Sequence, residues 1–134
     1  MQEFSRSLRL LAVDDDAASA ELIVRVAERC GYEAFATSDS RGVINLARAL
    51  APDILAVDIN MPNIDAVALF GLLAEARFAG QIFIVSGEDE SVLAATRRKA
   101  ESIGLTVACT QQKPLDFHKL RAMLSSNRDM AKVA

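Results

Sequence analysis

The sequence has few of the residues that tie small proteins together covalently or through metal ions. It contains no tryptophan, one histidine and two cysteines, Cys30 and Cys109, which are far apart and form no CxxC spacing. Structural zinc sites need clustered cysteine and histidine ligands, so a site of this class is not expected. We expect two reduced thiols in apolar surroundings.

Long apolar runs and clusters of one charge are also missing. No apolar stretch approaches the ~18 residues of a membrane span. The short run Leu8–Val13 leads directly into three aspartates, which a secretory signal does not tolerate. The formal net charge is −3 and the basic residues are scattered, so a surface for nucleic-acid phosphates is not expected. These features predict a cytoplasmic protein whose domain binds neither membrane nor nucleic acid.

The length fits one ordinary domain. The chain has 134 residues, of which 51% are hydrophobic and 25% charged, a composition typical of a globular protein with one core. Periodic apolar patterns run through residues 8–127, which we expect to form the domain. Residues 1–7 lack such a pattern and are expected to be a flexible N-terminus. Residues 128–134 are expected to be a flexible tail or the start of a linker.

Short apolar runs alternate with segments of helical period, as in chains whose βα units wind into a parallel sheet. The predicted strands are Leu8–Val13, Ala34–Ala36, Ile54–Val57, Ile82–Val85 and Thr106–Cys109. Apolar helix stripes include Ile23, Val26 and Ala27, then Val43, Ala47 and Leu50, then Val67, Phe70 and Leu73, then Val92, Ala100 and Ile103, then Phe117, Leu120 and Leu124. The sequence therefore predicts an α/β fold of (βα)5 type, a doubly wound five-stranded parallel sheet.

Polar side chains follow four of the five predicted strands. They are Asp14, Asp15 and Asp16 after the first strand, Asp58 after the third, Ser86 after the fourth and Lys113 after the fifth. The carboxyl ends of parallel strands share one sheet edge, where α/β proteins bind ligands. Converging carboxylates repel each other unless a cation neutralises them, and their hard oxygens suit Mg²⁺ or Mn²⁺. With a cation bound, Asp58 can attack a phosphoryl donor while Ser86 and Lys113 share its charge.

Each of these residues also has a simpler interpretation. A run of aspartates after a strand is often a helix N-cap, which is our prediction for Asp16. A Lys-Pro pair often marks a turn, and a Ser-Gly pair often marks a loop. The combination favours chemistry, because each residue type needed for metal-assisted phosphoryl transfer follows a strand at the same predicted edge.

The strings Leu11-Ala-Val-Asp-Asp-Asp16 and Pro52-Asp-Ile-Leu-Ala-Val-Asp-Ile-Asn-Met-Pro62 resemble the response-regulator receiver domains of two-component systems. The resemblance covers nearly the whole chain and implies the flavodoxin-like receiver fold. It implies that Asp58 is the phosphoacceptor and that Asp14, Asp15, Asp58 and the backbone carbonyl of Asn60 bind the metal. It further implies that Ser86 and Lys113 bind the phosphoryl group, with a cis peptide bond between Lys113 and Pro114.

The chain departs from the family pattern near the predicted output surface. Thr110 stands where receivers usually carry an aromatic switch residue, three residues before Lys113. Asn60 and Glu88 lie two residues past Asp58 and Ser86, where we expect them to orient water and shorten the lifetime of the phosphoryl group. The long Ser86–Lys113 span, which predicts about one extra turn in the fourth helix, resembles receivers fused to cyclic-di-GMP phosphodiesterases of the EAL type.

The resemblance implies a signalling switch that catalyses only its own phosphorylation and dephosphorylation. Its implied partners are a sensor histidine kinase or phosphotransfer protein and a downstream effector. The family includes monomers and dimers, so the resemblance leaves open whether a second copy binds in a homodimer. A haloacid-dehalogenase-type phosphatase also uses a strand-end aspartate but needs an acid where Asn60 stands. A flavodoxin-like FMN binder needs a phosphate-cradling first loop, which the aspartates would oppose. A receiver-like interaction module whose output ignores phosphorylation is the main alternative.

Overall fold

The computed structural model describes residues 7–61 and 65–133 of the chain. These residues form five strands and five α-helices that alternate along the sequence. The elements are β1 Arg9–Val13, α1 Ala17–Arg29, β2 Glu33–Thr37, α2 Val43–Leu50, β3 Ile54–Asp58, α3 Ala66–Glu75, β4 Gln81–Ser86, α4 Glu90–Ser102, β5 Thr106–Gln112 and α5 Phe117–Val133. A short 3₁₀ turn, Ser40–Gly42, precedes α2. The predicted (βα)5 fold is confirmed.

All strands belong to one parallel sheet with the order β2-β1-β3-β4-β5. The central strand β3 pairs with β1 through Leu55 and Leu11, and with β4 through Leu55 and Ile82. Every residue of β3 is buried, as expected for a parallel strand with helices on both faces. The strand order changes direction beside β1, so the carboxyl ends of β1 and β3 adjoin at the crevice where ligands of such sheets bind.

Two apolar layers cover the sheet. One layer packs Leu11, Leu55 and Ile84 against α2, α3 and α4, and the other packs Ala12, Ala56 and Phe83 against α1 and α5. The alternation of neighbouring residues between the two layers follows from the two-residue period of a strand. Both layers stabilise the folded state, because burial of apolar surface is the main favourable contribution to the free energy of folding.

Aspartate side chains cap four of the five α-helices. Asp16 caps α1, Asp65 caps α3, Asp89 caps α4 and Asp116 caps α5, and each accepts one or more hydrogen bonds from backbone N–H groups of the first turn. These bonds satisfy donors that a helix start otherwise leaves free. The prediction that Asp16 is a cap is confirmed. The N-terminal turns are thereby fixed on the same side of the sheet as the strand-end carboxylates.

Four predicted stripe residues are more exposed than expected. Val67 is 51% exposed, Val92 38%, Ile103 44% and Phe117 46%, whereas Phe70, in the interior of its stripe, is fully buried. Val67, Val92 and Phe117 lie in the first turn of their helices, and Ile103 follows the last residue of α4. Helix ends extend past the sheet, so an apolar residue there has no strand below it.

The C-terminal residues differ from the predicted tail. Helix α5 continues to Val133, so residues 128–133 are helical. The guanidinium of Arg128 donates to the backbone carbonyl of Cys30 at 2.8 Å, and the hydroxyl of Tyr32 donates to the carbonyl of Leu124. These contacts fasten α5 to the turn after α1. Residues 1–6, most of the predicted flexible N-terminus, lie outside the described residues.

Within the described residues, we find no helix that combines the length and apolar composition needed to span a bilayer.

Candidate functional site

Three carboxylates meet at the edge formed by the ends of β1 and β3. One oxygen from each of Asp14, Asp15 and Asp58 lies within 4.8 Å of the other two. Asp14 is 2% exposed and Asp58 4%, whereas Asp15 is exposed to solvent. Parallel pairing of β1 with β3 sets Val13 beside Val57, which brings the residues that follow both strands together. The sequence prediction that these acids converge is confirmed by this geometry.

The ammonium group of Lys113 lies between the two buried acids. Its Nζ is 3.1 Å from Asp14 Oδ2 and 3.1 Å from Asp58 Oδ2. The backbone N–H of Lys113 donates to the carbonyl of Ser86 at 2.7 Å, which ties the chain after β5 to the end of β4. The expected cis peptide bond joins Lys113 to Pro114. Lys113 follows β5 and Asp14 follows β1, so the two residues approach Asp58 from opposite sides of β3.

Burial and close charges alter the proton affinities of this cluster. Burial raises the pKa of Asp14 to about 6, a change that the backbone N–H of Asp16 and the Lys113 ammonium oppose. Burial lowers the pKa of Lys113, but its hydrogen bonds to Asp58 and Asp14 outweigh burial and raise the pKa above its usual value. The lysine therefore stays charged at neutral pH. The ionised state of Asp14 is disfavoured by its surroundings unless more positive charge is supplied.

The acidic cluster has the donor set of a hard divalent cation. Its ligand atoms are all carboxylate oxygens, which Mg²⁺ and Mn²⁺ prefer over nitrogen or sulfur ligands. The buried Oδ2 of Asp14 accepts no hydrogen bond among the described residues, because its contact with Lys113 lacks hydrogen-bond geometry. One lysine cannot neutralise three acids. A cation therefore fits the charge, the ligand type and the unsatisfied oxygen of this cluster.

The side chain of Asn60 bridges the loops after β3 and β4. Its Oδ1 accepts from the Ser86 hydroxyl and, at 2.7 Å, from the backbone N–H of Gly87. Its Nδ2 donates to Glu88 Oε1 at 3.1 Å. The backbone N–H of Asn60 donates to Asp58 Oδ1 at 2.9 Å. The sequence placed Asn60 and Glu88 near the site but did not predict that they are bonded to each other.

The hydroxyl of Ser86 takes part in two hydrogen bonds. It donates to Asn60 and accepts from the backbone N–H of Glu88 at 2.9 Å. Ser86 is fully buried at the end of β4, next to Asp58 in the pairing of β3 with β4, where Asp58 lies opposite Val85. The arrangement puts a hydroxyl beside the acidic cluster but joins it to Asn60 rather than to a carboxylate.

Thr110 lies in β5, opposite Ile84 of β4. Ile84 belongs to the apolar layer under α2, α3 and α4, so Thr110 is on the sheet face that α4 covers. Its side chain is half-buried. Thr110 therefore lies next to α4, and its role as an unusual switch residue stays a prediction.

One buried polar residue of this region was not predicted. Gln111 is 8% exposed, and its Oε1 accepts from the backbone N–H of Asp116 at 3.0 Å. The pattern of the sequence hides it, because the predicted strand ended at Cys109 whereas β5 continues to Gln112. The feature of the sequence that could have revealed this residue is its position, two residues before the lysine that follows the strand.

Solved structures of signalling proteins share this fold. The crystal structure of a response regulator from Colwellia psychrerythraea is similar with a TM-score of 0.80 and 29% identity, over 92% of this chain and 98% of that one. The chemotaxis response regulator CheY4 of Vibrio cholerae has a TM-score of 0.75 over 91% of this chain and 99% of that one. Its identity of 18% supports likeness of fold alone.

Curated relatives are longer regulators. The alkaline phosphatase synthesis transcriptional regulatory protein PhoP of Bacillus subtilis is 26% identical over 82 residues, covering 61% of this chain and 34% of that protein. The nitrate/nitrite response regulator protein NarL of Escherichia coli is 37% identical over 60 residues, covering 43% and 28%. The matches thus span about a third of the length of these relatives. A family model for the response regulator receiver domain matches residues 10–125, and the chain belongs to that family.

Proposed function

We propose that this receiver domain accepts a phosphoryl group on Asp58 from a histidine kinase or phosphotransfer protein, with Mg²⁺ or Mn²⁺ bound, and thereby switches its output interactions. The observation that carries this proposal is the cluster of three carboxylates within 4.8 Å with Lys113 at 3.1 Å from two of them. Metal-assisted phosphoryl transfer to a carboxylate needs these groups.

Asp14, Asp15 and Asp58 would hold the cation, together with the backbone carbonyl of Asn60. The cation supplies positive charge that offsets the charge of the transferring phosphoryl oxygens. The cation would stabilise the ionised form of Asp14, because burial disfavours its ionisation and its Oδ2 accepts no hydrogen bond among the described residues. Asp15 is exposed and offers the third carboxylate oxygen of the cluster.

Asp58 is the nucleophile. An oxygen of its carboxylate forms the new bond to phosphorus while the bond from phosphorus to the donor, a phosphohistidine nitrogen, breaks with its electron pair. Lys113 is charged and within reach of both buried acids, so its ammonium can move to a phosphoryl oxygen with little change in position. Ser86 reaches the phosphoryl group only after its hydroxyl leaves Asn60. This exchange of partners is the proposed switching step.

The output is a change in binding to a downstream effector or to a second copy of the chain. Its proposed surface lies around α4 and β5, because Ser86 and Thr110 both lie on strands packed against α4. The similarity of the Ser86–Lys113 span to receivers fused to EAL-type phosphodiesterases stays a prediction about that effector. In this proposal the domain acts on no separate substrate, so it is a switch rather than an enzyme.

Intact mass spectrometry after incubation with acetyl phosphate tests the proposal. The wild type should gain ~80 Da, the mass of one phosphoryl group, only when Mg²⁺ is present. Asp58→Asn is the central variant, and Asp129→Asn, an exposed acid on α5, is its matched control. The adduct should be lost in the first variant and retained in the second.

The alternative of an interaction module that ignores phosphorylation makes the opposite prediction. No adduct would form with Mg²⁺, even in a variant with Asn60 and Glu88 replaced to slow hydrolysis. An adduct that survives in Asp58→Asn would assign the phosphoacceptor to another residue. An adduct that forms equally well in EDTA would remove the metal from the proposal.

A further inference from the structure

The side-chain amide oxygen of Gln111 closes the turn that carries Lys113. Gln111 Oε1 accepts from the backbone N–H of Asp116 at 3.0 Å, so a bond spans the residues from 111 to 116. Lys113 lies inside that span, and its own N–H is bonded to the carbonyl of Ser86 at 2.7 Å. The backbone of Lys113 is therefore held from β4 on one side and from the start of α5 on the other.

The far end of this turn is also fixed. The carboxylate of Asp116 accepts from the N–H groups of His118 at 2.9 Å and Lys119 at 3.1 Å, which caps the first turn of α5. These bonds lower the pKa of Asp116, since they favour its charged form. Gln111 is thus bonded to a residue that the helix itself holds in place. A rigid support of this kind limits how far Lys113 can move.

A β-bulge gives Gln111 its direction. The register of β5 with β4 shifts after Ile82, so that Val107 lies opposite Ile82 while Cys109 lies opposite Phe83. Val107 packs in the layer under α4, and Cys109 packs in the layer under α1 and α5. Without the extra residue, Val107, Cys109 and Gln111 would share one face. The bulge turns Gln111 to the face of α5 and Thr110 to the face of α4.

The burial of Gln111 is not explained by stability. It is 8% exposed, and its Nε2 has no hydrogen-bond partner among the described residues. A buried amide donor without a partner destabilises a fold, and an apolar residue of the same length would avoid that loss. Asp116 is an exposed residue and its bond to Gln111 is only partly buried, so leaving its N–H without this acceptor costs less than it would in the core. The remaining contribution of Gln111 is the position of the turn.

We propose that Gln111 is a positioning residue for phosphoryl transfer, which holds the Lys113 turn so that the ammonium reaches Asp14 and Asp58. This inference rests on the proposed function. Gln111 touches neither acid, so it acts only through Lys113. Small displacements of a charged group away from the reacting atoms have large effects on rate, up to about a hundredfold for 1 Å.

The test compares the rate of phosphorylation by acetyl phosphate with Mg²⁺ in Gln111→Met and Gln112→Met. Both replacements remove one amide from adjacent positions of β5, but Gln112 is exposed and makes no bond to Asp116. We expect the rate to fall on the order of tenfold in Gln111→Met and to stay near the wild-type rate in Gln112→Met. The thermal midpoint of Gln111→Met should be equal to or above that of the wild type.

A second comparison separates positioning from a general structural effect. In a Lys113→Met background, Gln111→Met should change the rate by less than about twofold, because the group it positions is gone. An equal loss in both backgrounds, or no loss in the wild-type background, would overturn the inference. A wild type that forms no adduct at all would instead contradict the proposed function, so the two failures are distinguishable.

Discussion

The side-chain oxygen of Asn60 accepts a hydrogen bond from the Ser86 hydroxyl, and this bond joins the loops that follow β3 and β4. The same oxygen accepts from Gly87 N at 2.7 Å, and the amide nitrogen donates to Glu88 at 3.1 Å. A hydroxyl has one proton, so Ser86 cannot donate to Asn60 and to a phosphoryl oxygen at once. In the proposed function, where Ser86 donates to the phosphoryl group, phosphorylation breaks a bond that the unphosphorylated domain makes.

The bonded pair of Asn60 and Glu88 should shorten the lifetime of the phosphorylated state. Both side chains are exposed beside Asp58, where an amide and a carboxylate can orient an attacking water. We expect the double variant Asn60→Met, Glu88→Met to lose its phosphoryl group roughly tenfold more slowly. The measurement is the decay of the +80 Da species, about the mass of one phosphoryl group, after acetyl phosphate is removed.

Glu90→Met is the control for this experiment. Glu90 is exposed in the first turn of α4 and makes no contact with Asn60 among the described contacts. Its replacement removes the same charge a short distance away and should leave the decay unchanged. Equal decay in the double variant and the wild type would refute a role for Asn60 and Glu88 in hydrolysis.

Mg²⁺ should stabilise the wild type and stabilise Asp58→Asn much less. A ligand that binds only the folded state raises the free energy of unfolding by about 2.7 kcal/mol at a hundredfold excess over its dissociation constant. Asp58→Asn removes one of the three clustered carboxylates, so the gain should shrink. The check is urea unfolding with and without MgCl₂, with NaCl at matched ionic strength as the salt control. A gain of the same size in both proteins would contradict Asp58 as a ligand.

Thr110→Tyr should alter phosphorylation-dependent association. Thr110 lies on the sheet face under α4, where the ring of a tyrosine would add bulk between the strand and that helix. We expect the ratio of dimer or partner affinity between the phosphorylated and unphosphorylated states to change about fivefold or more. Light scattering with and without acetyl phosphate measures the dimer. Thr110→Val keeps the shape of the side chain and should behave as the wild type. Unchanged association of Thr110→Tyr in both phosphorylation states would contradict a role for this position in output.

The convergence of Asp14, Asp15, Asp58 and Lys113 was predictable from the sequence for a topological reason. Parallel strands with helical crossovers bring all their carboxyl ends to one edge, so residues far apart in sequence lie close together there. Their proximity can be predicted as soon as the strands are identified in the sequence. Buried central strands carry strong apolar signals, and β3 and β4 were located to within one residue at each end. The acidic cluster follows from those two facts.

Features that depend on one extra residue or on loop contacts were not predictable. The bulge in β5 reverses which face later residues occupy, yet nothing in Thr106–Gln112 marks it, since no glycine is present. The bonds of Asn60 to Ser86 and Glu88 depend on how two loops approach each other. Residues 128–133 lack a regular apolar stripe, and their helix is anchored through a polar contact, Arg128 to Cys30, that periodicity does not reveal.

Cys109 should react slowly with alkylating reagents in the folded protein. Burial raises the pKa of its thiol to about 11, with a smaller opposing effect of Arg97. The thiolate is the reactive form, so at pH 8 the folded state should react on the order of a hundredfold more slowly than the urea-unfolded chain. The slowing should diminish as the pH rises toward 11. Mass spectrometry of iodoacetamide adducts in a Cys30→Ala variant isolates Cys109. Equal rates in folded and unfolded protein at pH 8 would contradict the burial of this thiol.

The end of α5 should contribute to the stability of the domain. Arg128 donates to the carbonyl of Cys30 at 2.8 Å, across the turn where Gly31 has a φ of 90° that glycine adopts readily. Hydrogen bonds from charged donors contribute about 1.5–3 kcal/mol, and this one is partly exposed, so Arg128→Met should lower the free energy of unfolding by about 1–2 kcal/mol. Urea unfolding at pH 7 measures the change.

Arg121→Met is the matched control, because Arg121 is on the same helix, is exposed and its side chain has no hydrogen-bond or ion-pair partner among the described residues. Its replacement should change the free energy of unfolding by less than about 0.5 kcal/mol. A chain truncated after Asn127 should lose at least as much stability as Arg128→Met, since it removes the same bond and the helical turn that carries it. If truncation and Arg128→Met leave the stability of the wild type unchanged, residues 128–133 contribute nothing to the domain, and its boundary lies at 127 as the periodicity predicts.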